Sequence, residues 1–161
     1  APASWPRARS ADARSASSSA PGRQGRATRS PPESGGIASL PAPDPRHPLL
    51  SRSRGNPQVA GSWSVLLRGG GHNVAHTHPM GWLSSAFYVE LPSASLAGEP
   101  PAGYLRLGVP PPELGLALEP LAVIAPKRGS LVLFASTMWH DTVPFADGER
   151  LNIAFDVMPG G

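Results

Sequence analysis

The chain has 161 residues, with 21 Pro, 18 Gly and no Cys. That composition excludes a disulfide framework and a Cys-based zinc or iron–sulfur site. The prolines argue against a helical bundle, because Pro breaks helix interiors, and no apolar run approaches the roughly 18 residues of a membrane-spanning helix. The net charge of +3 hides an asymmetry: residues 1–54 hold nine Arg, no Lys and three acids (+6), and residues 55–161 hold four Arg, one Lys and eight acids (−3). The second part therefore lacks the charge of a nucleic-acid groove.

In chain order, residues 1–54 are rich in Arg, Ser, Ala and Pro, and Arg14 to Arg29 contains no aliphatic residue larger than Ala. Such a segment cannot bury enough apolar surface to offset the entropy of ordering it, so a disordered tail is expected. An acid-poor, Arg/Ser-rich tail also has the composition of an organelle transit peptide, and basic tails bind nucleic acid or anionic lipid without sequence preference. With no apolar stretch of a secretory signal, a cytoplasmic location and no membrane partner are the expectation.

From residue 55 onward, short β-rich runs alternate with Gly/Pro punctuation. The pattern predicts eight strands, near Val59–Arg68, Asn73–His78, Leu83–Leu91, Tyr104–Leu107, Leu121–Ala125, Ser130–Ala135, Met138–Val143 and Leu151–Val157. Residues 55–161 are thus expected to form one all-β domain, and a jelly roll fits eight strands. Alternation assigns faces. Leu151, Ile153, Phe155 and Val157 share one side of the last strand, and Arg150, Asn152, Ala154 and Asp156 the other. Likewise Phe87, Val89 and Leu91 oppose Ser84, Ala86, Tyr88 and Glu90. The small and polar faces are expected to line a pocket. The apolar faces need a cover, and this part of the chain has no amphipathic helix to supply it, so upstream helices, another domain or a second subunit is expected there.

Four of the five histidines lie in this part: His72, His76, His78 and His140. On a strand, His76 and His78 point the same way and can share one metal ion, while His140 comes from a distant strand. Three imidazoles suit Fe, Zn, Cu or Ni and leave coordination positions open. Alone, His-x-His also arises as a hydrogen-bonded turn. Arg150 begins the last strand on its pocket side, where a buried guanidinium is costly unless an anion meets it; the alternative is an ion pair with Glu90, Asp147 or Glu149. Trp63, Trp82 and Trp139 read as core or pocket-rim packing, Asp141 faces away from His140 and makes a poor ligand, and His72 follows three glycines in a loop.

The segments Ala60-Gly-Ser-Trp-Ser-Val, His76-Thr-His78-Pro-Met-Gly-Trp-Leu-Ser-Ser-Ala-Phe-Tyr88-Val-Glu-Leu-Pro, Gly129-Ser-Leu-Val-Leu-Phe and Trp139-His140-Asp-Thr-Val-Pro-Phe followed by Arg150-Leu-Asn-Ile-Ala-Phe-Asp resemble the 2-oxoglutarate/Fe(II)-dependent oxygenases, in particular the group often fused to tetratricopeptide repeats. The resemblance covers about Val59 to Pro159. It implies a double-stranded β-helix, a cupin-like jelly roll, with Fe(II) and 2-oxoglutarate as cofactors and hydroxylation of a substrate it does not specify. It matches His76 to the first histidine of the family's His-x-acid motif, His140 to the distal histidine and Arg150 to the arginine that grips the far carboxylate of 2-oxoglutarate. Tyr88 matches a tyrosine on the same carboxylate, and Asn152 stands where a small hydroxyl residue is usual. It also makes a tetratricopeptide-repeat region a candidate cover for the apolar face. The sequence departs from the family at His78, where the motif has an acid. Two alternatives stay open beside a dioxygenase: a jelly-roll binding module without turnover, and a three-His metalloenzyme that does not use 2-oxoglutarate.

Overall fold

The computed structural model describes residues 36–93 and 97–160; the rest of the expected tail, residues 1–35, lies outside them. Among the described residues seven strands form: β1 (Gln58–Arg68), β2 (Leu83–Glu90), β3 (Leu105–Leu107), β4 (Ala122–Ile124), β5 (Leu131–Ala135), β6 (His140–Thr142) and β7 (Glu149–Met158). Two single 3-10 turns, Ile37–Ser39 and Pro112–Leu114, accompany them, and no helix among the described residues is long and apolar enough to cross a membrane. The strands make two antiparallel sheets, one in the order β1-β7-β2-β5 and one in the order β4-β3-β6. The fold is the all-β, cupin-like jelly roll expected.

The expected eighth strand, Asn73–His78, is absent. Only one isolated bridge remains there, His76 opposite His140, held by His76 N–H to His140 O (3.1 Å) and His140 N–H to His76 O (3.0 Å). Three glycines before the segment loosen the backbone, and Pro79 after it has no N–H for a ladder, so pairing does not propagate. The two histidines therefore sit on a loop that is pinned at single points: His78 N–H donates to Ser136 O at 2.8 Å.

One hydrophobic cluster lies between the sheets. Leu105 and Leu107 of the smaller sheet meet Phe134 of the larger one, with Ile124, Val132 and Met138 around them. A second lies on the outer side of the larger sheet, where Trp82, Leu83 and Val157 are covered by Ile37, Leu40 and Leu49. Trp82 Nε1–H also donates to Leu49 O at 2.9 Å. Residues 36–54 thus lie as a strap over part of the apolar face, while Ile153 and Leu131 remain 40% and 47% exposed.

The register fixes which residues look inward. In antiparallel pairs, directly opposed residues share a face. Asn152 stands opposite Val65 and Tyr88, Arg150 opposite Leu67, and Asp156 opposite Gly61 and Ser84. The inner face of the larger sheet therefore carries Arg150, Asn152, Asp156, Tyr88 and Ser84, all buried.

Candidate metal centre

His76, His78 and His140 converge. One ring nitrogen from each lies within 4.8 Å of the other two, and the ring centroids are 4.2 to 5.1 Å apart. Each Nδ1 faces an acceptor: Val74 O at 2.7 Å from His76, Met138 O at 3.0 Å from His140, and Asp156 Oδ1 at 2.8 Å from His78. A carbonyl or carboxylate oxygen only accepts, so each Nδ1 carries the proton and Nε2 keeps its lone pair for a cation. Burial also favours the neutral rings that a metal requires. It pushes His140 down to about 4, with His76 nearby adding to the effect. His76 is lowered as well, chiefly by burial and against the pull of its bond to Val74 O. Trp63 borders the site, its ring centroid 5.4 Å from that of His78.

Arg150 is 2% exposed. None of the carboxylates that could have paired with it does so. Glu149 binds Arg68 at 2.9 Å, Glu90 binds Arg128 at 3.1 Å, and Asp147 accepts from Gly148 N–H at 2.7 Å. Arg150 Nη1 donates to Thr142 Oγ1 at 3.0 Å, and the guanidinium carbon lies 5.2 Å from the centroid of the Tyr88 ring. Burial lowers the Arg150 pKa, with Tyr88 opposing, and burial raises that of Tyr88, with Arg150 opposing. Among the described residues, Tyr88 Oη, Arg150 Nε and Asn152 Oδ1 are buried with no hydrogen-bond partner. Buried polar atoms in a folded protein nearly always have one, so these atoms leave hydrogen-bonding capacity open on the inner face.

A cavity of about 240 Å³ reaches Arg150 between Leu91, Tyr104, Pro126 and Phe145. None of the three histidines lines it. Thr142 connects the two groups: it follows His140 by two residues on β6, hence on the same face and about 7 Å along the strand. Sequence reasoning missed Thr142 and the buried pair Ser84 and Asp156 behind His78. Strand alternation pointed to all three, since Thr142 shares a face with His140 and Asp156 shares one with Arg150. Asp141 turns away from the histidines and pairs with Arg106 at 2.9 Å and 2.5 Å.

Residues 61–156 match the family described as "Putative 2OG-Fe(II) oxygenase". That match spans more than half of the chain, and the chain belongs to this family. Among solved structures it is similar to a Pseudomonas putida prolyl-4-hydroxylase (22% identity, TM-score 0.46, covering 62% of this chain and 51% of that one). It is also similar to a Burkholderia pseudomallei oxidoreductase of the 2OG-Fe(II) oxygenase family (14%, TM-score 0.45, 63% and 43%) and to a Bordetella pertussis cupin domain (16%, TM-score 0.40, 66% and 95%). The chain spans about half the length of the first two. No curated protein matches it.

The donors fit the cofactors this family implies. Three neutral imidazoles with fixed tautomers suit a divalent first-row metal and leave open positions. A buried guanidinium without a counter-ion, beside an unpartnered phenol, suits a carboxylate.

Proposed function

We propose that the chain is an Fe(II)- and 2-oxoglutarate-dependent dioxygenase domain that hydroxylates a substrate not yet identified. The observation that carries this reading is Arg150, a buried cation with no carboxylate partner among the described residues, one threonine removed from a three-histidine cluster. Such a charge is destabilising unless an anion meets it, and here the anion would have to reach from the guanidinium toward the histidines. A short dicarboxylate does both. Bound together, iron and 2-oxoglutarate would couple the reduction of O2 to oxidative decarboxylation of 2-oxoglutarate and hydroxylation of the substrate, one oxygen atom going to each product.

The residues divide the work. His76, His78 and His140 hold the metal through Nε2, with Nδ1 locked so that the rings need not reorganise on binding. Arg150 grips the far carboxylate, Tyr88 donates its hydroxyl to it, and Thr142 holds the guanidinium in place. Asn152 offers its amide to the same ligand. Trp63 borders the metal side of the site, its ring against that of His78.

The test is anaerobic titration. The chain is loaded with Fe(II), and 2-oxoglutarate is added while the visible metal-to-ligand charge-transfer band is followed. A saturating band is expected. Arg150→Met, which keeps the length and removes the charge, should raise the apparent Kd at least about 30-fold, the scale of losing one charge-assisted pair in a dry pocket. Metal uptake without the band would overturn the 2-oxoglutarate reading and favour a three-His metalloenzyme. A folded chain that takes up no metal would favour a binding module.

A further inference from the structure

The three histidines are not held alike. His76 and His140 donate to backbone carbonyls, whereas His78 donates to a carboxylate, Asp156 Oδ1, 2.8 Å away. His78 and Asp156 are 6% and 4% exposed. The same Oδ1 lies 2.6 Å from Ser84 Oγ, which lies 2.9 Å from Ser136 Oγ. Ser84 has one proton to give, and the acceptor-only carboxylate needs it, so Ser136 can donate to Ser84 in turn. The chain of contacts is packed to leave no slack. A Cβ on Gly81 would lie 2.5 Å from Ser136 Oγ and 2.9 Å from Ser136 Cβ, so no other residue fits at position 81 without displacing Ser136.

Three neutral imidazoles would leave a divalent ion with its full charge of two inside a protein. A carboxylate one hydrogen bond further out lowers that charge through the ring it polarises. We propose that Asp156 is a positioning residue that orients His78 and supplies, from behind its ring, the negative charge that the direct ligands lack. Ser84, itself bonded to Ser136, holds the Asp156 carboxylate against Nδ1. The carboxylate is therefore present at this centre, displaced outward by the length of an imidazole. This inference rests on the proposed metal centre.

The experiment uses Co(II) alone, titrated into the metal-free full chain by calorimetry and visible absorption, so it needs neither 2-oxoglutarate nor turnover. Asp156→Asn keeps the shape and can still accept the His78 proton, but it removes the charge. About 10-fold weaker Co(II) binding is expected, and up to about 100-fold for Asp156→Ala, with a shifted Co(II) spectrum. The sharper arm moves the charge inward. His78→Asp supplies the negative charge as a direct ligand and removes the ring through which Asp156 acts, so adding Asp156→Asn should weaken Co(II) binding by less than about 3-fold in that background, against about 10-fold in wild type. Asp156→Asn binding as tightly as wild type with an unshifted spectrum would overturn the inference, and so would a loss of about 10-fold or more from Asp156→Asn in the His78→Asp background. If the wild-type chain took up no Co(II), the metal centre itself would fall and this inference with it; if wild type bound and the variants did not differ, the inference alone would fall.

Discussion

The two faces of β7 invert the usual arrangement. Arg150, Asn152 and Asp156 point inward and are buried, while Ile153 on the opposite face is 40% exposed and Phe155 half-buried. In most sandwiches the apolar side of a strand faces the core. Here the polar side does, and that placement is tolerable only where each polar group finds a partner. The two ends of the inner face meet this demand differently. At the Asp156 end, His78 and Ser84 satisfy the carboxylate. At the Arg150 end, Thr142 takes one guanidinium hydrogen bond, and three buried polar atoms have no partner. On the proposed function, the satisfied end holds the metal's ligand residues and the unsatisfied end takes 2-oxoglutarate.

The comparison is easiest to sharpen on the apolar side, where the effect is largest. Trp82 sits under the 36–54 strap, packed with Leu83 and Val157 and bonded to Leu49 O. Trp82→Ala removes both the contact and the anchor and is expected to cost about 3–5 kcal/mol in urea denaturation. A loss below about 1 kcal/mol would mean that the strap does not cover the sheet in solution and that the apolar face is more open still.

An intermediate effect comes from the polar side and depends on pH. In the unfolded chain the His140 ring titrates near 6.5, and in the folded metal-free protein burial holds it near 4. Between those values the unfolded chain takes up a proton that the folded one refuses. Stability is then full above about pH 6.5, falls as pH drops through the window, and levels off below about 4. By pH 5 the loss from His140 is about 2 kcal/mol relative to pH 8, and His76 shifts in the same sense. Chemical denaturation of the metal-free chain from pH 8 to 5 measures it, and His140→Gln should flatten the profile. A flat wild-type profile would show that the imidazoles are not buried as described.

The faces of β7 and β2 were legible in the sequence because a two-residue period survives any error in strand ends. Arg150 and Tyr88 consequently appear together on the inner side, and three histidines separated by up to 64 positions appear at one point. What alternation could not reveal is pairing across the sheet. Asp156 stood on the polar face of its strand, but its partner His78 lies 78 positions earlier, on a loop whose course depends on where Gly81 lets the backbone pass. The strand expected at Asn73–His78 failed for a related reason. Its His-x-His spacing has the right period, yet Pro79 and the glycines before His72 stop the ladder from growing beyond one bridge. The histidines converge all the same, because a pair of backbone bonds to His140 holds His76 and one to Ser136 O holds His78.

The smallest effect gives the most direct check on the apolar face. Leu131 lies on its uncovered edge strand and is 47% exposed. If water meets it, Leu131→Thr removes little buried area and gains β-propensity, so stability should change by less than about 0.5 kcal/mol. Ile153→Thr, on β7 two strands away, should behave alike. A loss of more than about 1.5 kcal/mol for either, larger at high protein concentration than at low, would mean that a second copy of the chain buries this face. The contrast between a sealed polar interior and an open apolar exterior would then belong to the isolated chain alone, and the sheet would be polar inside and apolar at an interface, with no face left to water.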